Sequence, residues 1–139
     1  MTRFALDASV ALAWVLDNPV PAYASRVEQA LVGGQRAMVP ALWHLEVANG
    51  LAMAERRRDL TSADIERALA LLRAAAAQAI DTETNLVSIE EALRTARVYH
   101  LTAYDAVYVN LAGDQNLPLA TLDQGLREAA GKAGVKSLL

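Results

Sequence analysis

The chain of 139 residues contains no cysteine. Neither a disulfide framework nor a thiolate metal site can be built from it. No stretch approaches the ~20 apolar residues needed to span a bilayer, and no basic start leads into a long apolar run. The expectation is a soluble cytoplasmic protein without membrane contact. A net formal charge of −3 gives no general reason to expect nucleic-acid binding. Glycine-rich phosphate loops are missing as well. The first strand-to-helix turn has no G-x-G-x-x-G, which argues against a dinucleotide site. GLREAAGKA puts five residues between its glycines where a P-loop needs four, and Ala133 stands where Ser or Thr is required. HLE at 44–46 matches half of a zinc deaminase signature, but the other half needs cysteines. His44 and His100 cannot form a zinc site alone and read as packed or surface residues.

What is present is apolar: 54% hydrophobic residues against 21% charged ones, which excludes a disordered chain. The length fits one domain, residues 1–139, with a real core. Strand character at 3–7, 36–40, 78–81, 117–122 and 135–139 alternates with helical stretches near 8–16, 20–32, 41–57, 62–77, 84–99, 103–113 and 123–132. Gly33-Gly34, Pro40, the Asn116-Leu117-Pro118 break and Gly134 punctuate the boundaries. This alternation predicts βαβ units, hence an α/β fold with a central parallel sheet flanked by helices in three layers. Trp14, Trp43, Tyr99, Tyr104 and Tyr108 read as core or dimer packing before base stacking. The basic groups Arg56-Arg57-Arg58 and Arg94 with Arg97 fit solvated helix faces as well as a phosphate track.

The acids carry more information. In RFALDASVALAW, Asp7 ends an apolar run and precedes a helix-like stretch; in LPLATLDQGL, Asp123 does the same. One such Asp is usually a helix N-cap. Both, however, leave strands at the carboxyl edge where open α/β sheets bind ligands, and neighbouring strands would bring them face to face. Asp81 also ends a strand, and helix capping accounts for it; Asp17 and Asp114 fall in loops. Two more acids sit in apolar helical company. Glu46 is flanked at helical spacing by Leu42, Asn49, Gly50 and Met53, and Asp105 by Leu101, Tyr108, Val109 and Ala112. No Lys or Arg lies one turn from either, so only an Arg from a distant segment could neutralise them. Close carboxylates repel by up to ~4 kcal/mol per pair at an effective dielectric of 20. A divalent cation relieves that repulsion, and hard oxygen donors suit Mg²⁺ or Mn²⁺.

With these residues placed, the chain resembles the PIN-domain family, and closely the VapC ribonuclease toxins. Asp7-Ala8-Ser9 is similar to the first motif, and VPALWHLEVANGL to the second, with Glu46 in the acid position and Asn49 as its companion. LTAYDAVYVNLA resembles the third through Asp105, and LPLATLDQGL the fourth through Thr121 and Asp123. The resemblance spans nearly the whole chain. It implies a Mg²⁺- or Mn²⁺-dependent endoribonuclease, a homodimer, and a cognate antitoxin that blocks the site. It also implies that Asp7, Glu46, Asp105 and Asp123 ligate metal or orient water, with Ser9 and Thr121 bonding those carboxylates. One position departs from the pattern: Gln124 stands where relatives carry a basic residue, with Arg127 one turn later. Two alternatives stay open: a receiver-type phosphoacceptor domain, which would need paired acids after the first strand, and a silent PIN fold used for protein binding.

Overall fold

Strands covered by helices on both faces must be apolar, and three of the four short strands, RFAL, RAMVP and LA, are nearly so, while IDTE lies at the edge of the sheet. In the computed structural model, which describes residues 2–139, they are β1 (Arg3–Leu6), β2 (Arg36–Pro40), β3 (Ile80–Glu83) and β4 (Leu119–Ala120). They form one parallel sheet in the order β3-β2-β1-β4. The helices are α1 (Ala8–Leu16), α2 (Ala22–Val32), α3 (Leu42–Arg56), α4 (Ser62–Ala79), α5 (Ile89–Tyr99), α6 (Ala103–Asp114) and α7 (Gln124–Lys132). From β1 to β3 the chain steps one way across the sheet, then crosses back over β2 and β1 to lay down β4. With right-handed crossovers, α1 to α4 cover one face, and α5 and α6 the other. Helix contacts agree: α1 packs on α2 and α3, and α6 lies against β1, β2 and β4 with α5 beside it. The core is built on Phe4, Leu6, Val10, Val39, Trp43, Tyr108, Leu119 and Leu126, all almost completely buried.

The strand order reverses between β1 and β4. Their carboxyl ends therefore flank a topological switch point, where open α/β sheets have a crevice. The sequence leaves this adjacency conditional; the pairing Ala5–Leu119 and Leu6–Ala120 supplies it.

Several boundaries differ from their expected positions. The alanine run of α4 carries the helix through Gln78 and Ala79, because Ala is the best helix former, so β3 starts at Ile80 and not at 78. Residues 84–88 are not helical; α5 begins only where Ser88 accepts a hydrogen bond from Glu91 N at 3.2 Å. The expected strand 117–122 contracts to two residues. The expected strand 135–139 is one parallel bridge, Leu119 to Ser137, reached through a left-handed turn at Gly134 (φ 86°).

Asp81 is not a cap, because no helix starts beside it. It lies within β3, where Arg36 of β2 grips it with two bonds, Nε to Oδ2 at 2.9 Å and Nη2 to Oδ1 at 2.8 Å. The same Arg36 donates through Nη1 to the Gln78 carbonyl at 2.8 Å, which ties the end of α4 to the sheet. The Arg36 hydrogen bond holds the Asp81 carboxyl below the usual carboxylate range. A depressed folded-state value stabilises above the unfolded pKa and loses that contribution as pH falls through the folded one. Asp81→Asn is therefore expected to melt a few degrees below the wild type near pH 7, with the gap closing by about pH 2. Thermal melts by circular dichroism at the two pH values check this.

Candidate active site

The two strand-end acids play different local roles. Asp123 is an N-cap: its Oδ1 accepts from Leu126 N at 2.9 Å and opens α7. Asp7 holds the cap position of α1 but makes no capping hydrogen bond. Its Oδ2 accepts instead from Ser9 Oγ at 2.7 Å and from Thr121 Oγ1 at 2.8 Å. Asp7 is only 6% exposed and Thr121 fully buried, so these bonds sit where water cannot replace them. Ser9 Oγ also accepts from Leu122 N at 3.0 Å, and Thr121 Oγ1 from Asp123 N at 3.0 Å. Two hydroxyls thus lace the start of α1 to the end of β4 across the switch point.

The helix acids approach from both layers. Asp105 is half-buried in the first turn of α6, where its backbone N–H donates to the N-capping Thr102 hydroxyl at 3.1 Å. Glu46 is half-buried on α3, and Tyr108 of α6 donates its hydroxyl to Glu46 Oε1 at 2.6 Å. That bond reaches from one helical layer to the other. Tyr108 is the residue that packing considerations alone undervalue. It is fully buried, as a core aromatic should be, yet its hydroxyl fixes a site acid. The signal was its place one turn after Asp105, on the same helix face. Asn49, one turn beyond Glu46, is exposed and makes no hydrogen bond with the four acids among the described residues. Tyr104, by contrast, is 67% exposed and takes no part in the core.

The electrostatics tie the four together. Burial pushes the Asp7 carboxyl up, the Ser9 and Thr121 hydroxyls and the Ala8 N–H pull it down, and Asp123 raises it again. Burial likewise raises Glu46, opposed by the Tyr108 hydroxyl and reinforced by Asp7 and Asp105. Asp105 is raised by burial, then by Asp7 and Asp123. Among the described residues none of the four has an ion-pair partner, so no distant Arg neutralises them. Arg127 stands off the site, with its guanidinium on the Thr121 carbonyl and the Tyr23 ring. Arg56, Arg57, Arg58, Arg94 and Arg97 lie exposed on α3, its C-terminal turn and α5.

Unneutralised carboxylates set near one another fit a divalent cation. Among the described residues, however, no three His, Asp or Glu side chains converge as a closed metal cage would require. The acids line neither of the apolar cavities, of about 270 Å³ beside α5 and α6 and about 410 Å³ between α1, α2 and α4.

The raised Asp7 carboxyl has a consequence for stability. Its folded-state pKa lies above the ordinary 3.8. Its contribution is therefore fully present below the unfolded value and is lost as pH rises through the folded one. In EDTA, Asp7→Asn should melt higher than wild type at neutral pH, and the gap should shrink as pH falls towards about 4. Melting curves across pH test this; a gap independent of pH would contradict it.

The matches to known proteins agree with this fold. The PIN-domain family model matches residues 4–132. Ribonuclease VapC9 of Mycobacterium tuberculosis and a VapC ribonuclease of Mycobacterium bovis are each 36% identical over 123 residues, 88% of this chain and 87% of theirs. Two solved structures share the fold. PAE2754 from Pyrobaculum aerophilum has a TM-score of 0.70 at 22% identity, covering 92% of this chain and 84% of that one. A domain from Methanocaldococcus jannaschii has a TM-score of 0.58 at 14% identity, covering 100% and 91%. The receiver alternative finds no support, since Ala8 and Ser9, not a second acid, follow Asp7. The chain belongs to the PIN-domain family, within its VapC ribonuclease group.

Proposed function

We propose that the chain is a single-domain, Mg²⁺- or Mn²⁺-dependent endoribonuclease that acts in the cytoplasm as the toxin of a toxin–antitoxin pair. The observation that carries this reading is the buried Asp7, held by two hydroxyls and facing three further acids with no basic partner. In this reading Asp7, Glu46, Asp105 and Asp123 together hold the cation or orient the attacking water. When bound, the ion would supply activation of water and stabilisation of the leaving oxygen. Asp7 enters already oriented, because Ser9 and Thr121 fix its Oδ2. Glu46 is fixed through Oε1 by Tyr108, and its raised carboxyl can accept a proton from water nearer neutrality than an ordinary glutamate. A net charge of −3 does not oppose RNA binding once a cation masks the acids and arginines outside the pocket meet phosphates.

Asp7→Asn and Asp105→Asn are each expected to lower RNA cleavage at least ~100-fold, about 2.7 kcal/mol of barrier, with the fold intact. The assay is cleavage of total RNA with Mg²⁺ or Mn²⁺, read beside circular dichroism. Wild-type cleavage that persists in excess EDTA would sink the metal-dependent mechanism.

The same acids suggest how a partner inhibits. A protein fork of Arg, permanently charged and planar, pairs well with carboxylates. A cognate antitoxin would place an Arg or Lys among Asp7, Glu46, Asp105 and Asp123, and pack an apolar helix beside it. The homodimer belongs to the same proposal. Expressed alone, the chain should arrest growth, and co-expression with its antitoxin should relieve the arrest. Replacing the basic residues of the antitoxin's C-terminal segment should restore ribonuclease activity; full inhibition after truncating that segment would refute plugging of the pocket.

A further inference from the structure

Arg127 is in the wrong place for a surface charge. It lies in the first turns of α7, where its backbone N–H donates to the Asp123 carbonyl at 3.0 Å. Positive charge near a helix N-terminus opposes the helix dipole. Its side chain nevertheless folds back towards that terminus and is half-buried. Nη2 donates to the Thr121 carbonyl at 2.6 Å, the guanidinium carbon lies 4.9 Å from the Tyr23 ring centroid, and Nε is buried without a partner. A guanidinium over an aromatic face is attracted by the ring quadrupole, which offsets part of that cost. Tyr23, on α2, is itself anchored by its hydroxyl, which donates to the Leu138 carbonyl at 2.8 Å. Leu138 is in turn held to β4 by its N–H on the Leu119 carbonyl at 2.9 Å.

The chain of contacts ends at Thr121. Its two ends point to different partners: Oγ1 donates to Asp7 and accepts from Asp123 N, while the carbonyl receives Arg127. β4 stops at Ala120, whose carbonyl takes Asp7 N at 2.9 Å. Thr121 is thus one residue past the sheet ladder, and among the described residues no backbone N–H takes its carbonyl. A side chain must do what the ladder no longer does.

We infer that Arg127, seated on Tyr23, is a positioning residue that sets Thr121 and through it the Asp7 carboxylate, and that it does not bind the RNA phosphates. The proposal rests on the ribonuclease reading for its kinetic test, but not for its structural one. Arg127→Met leaves the Thr121 carbonyl without its donor and frees the strand end to shift. A displacement of about 1 Å at such a point can cost up to ~100-fold in rate.

The experiment measures steady-state cleavage of a fluorogenic oligoribonucleotide with Mn²⁺ across ionic strength, together with amide hydrogen exchange by NMR. Arg127→Met should lower kcat about tenfold to hundredfold, leave KM within about twofold, and leave the salt dependence of kcat/KM unchanged. Exchange should accelerate at Leu122 N and Asp123 N, while the amides pairing β1 with β2 stay protected. Tyr23→Leu should lower kcat in the same manner, and the double variant should be no worse than Arg127→Met alone, since both act through Thr121. Arg26→Met, which removes a cation 5.8 Å from the same ring but without a link to Thr121, should leave kcat unchanged. An unchanged kcat in Arg127→Met overturns the inference. So does a raised KM with a salt slope flattened by about 0.7, which marks a lost phosphate contact. Loss of exchange protection throughout the sheet, or an equal fall in Arg26→Met, overturns it too. If the wild type cleaves no RNA, the ribonuclease reading fails, and the exchange data alone then decide on the clamp.

Discussion

A carboxylate buried without a counter-charge is the constraint around which this protein is built. Asp7 is 6% exposed, and what faces it is two hydroxyls and other acids. Leaving such a group unpaired costs several kcal/mol or forces protonation. Ser9 lies on the helix that follows Asp7, so its contact is local. Thr121 comes from 114 residues further along the chain and must be delivered by the fold. The pairing of β1 with β4 is what delivers it. Had β4 added to the far side of β3, Asp7 would be short one donor, and the acids would not meet. The topological switch point and the acid pocket are therefore one feature seen at two scales.

The other acids depend on how closely the helices approach. Glu46 sits on α3, which packs against α1. At Gly50, one turn after Glu46, an added Cβ would fall 2.5 Å and 2.7 Å from the two methyl carbons of Leu12. The missing side chain lets the two backbones close up. From the opposite layer, Tyr108 spans the gap and holds Glu46 by its hydroxyl at 2.6 Å. A phenol in a dry site, next to a carboxylate, is pushed far above its usual pKa and stays a donor. Tyr108 thus serves the core with its ring and the pocket with its oxygen, and neither duty is separable from the other.

The sequence announces the acids but not their supports. As candidates, Asp7 and Asp123 stand out because each follows an apolar strand, Glu46 and Asp105 because acids in apolar helical company are rare, and Ser9 and Thr121 because the family pattern pairs hydroxyls with them. The parallel sheet is legible from alternation alone. Strand order is not, since it depends on contacts far apart in the chain. Tyr108 and Arg127 look like ordinary residues in a helical pattern; only the partner across the layer reveals their use. Asp81 misleads for a related reason. A strand-end acid followed by threonines has the local look of a cap, and its real partner, Arg36, lies 45 residues away. The ends of α4 and α5 were blurred by alanine on one side and overextended through residues 84–88 on the other, where local propensity says little about when packing ends.

Within the pocket, the acids differ in how firmly they are held. Asp7 is buried and fixed by two side chains that are themselves hydrogen-bonded to the backbone. Asp123 is exposed, and its one tie is the cap to Leu126 N through Oδ1. In the proposed mechanism, a site that takes a hydrated cation and an RNA strand would gain from this asymmetry. There the rigid acid would fix where charge is needed, and the exposed one would adjust as waters and phosphate oxygens come and go. Holding Asp7 there costs stability, because burial works against its charge. The fold accepts that penalty at the residue after β1 and places the freedom at the exposed residue after the neighbouring β4.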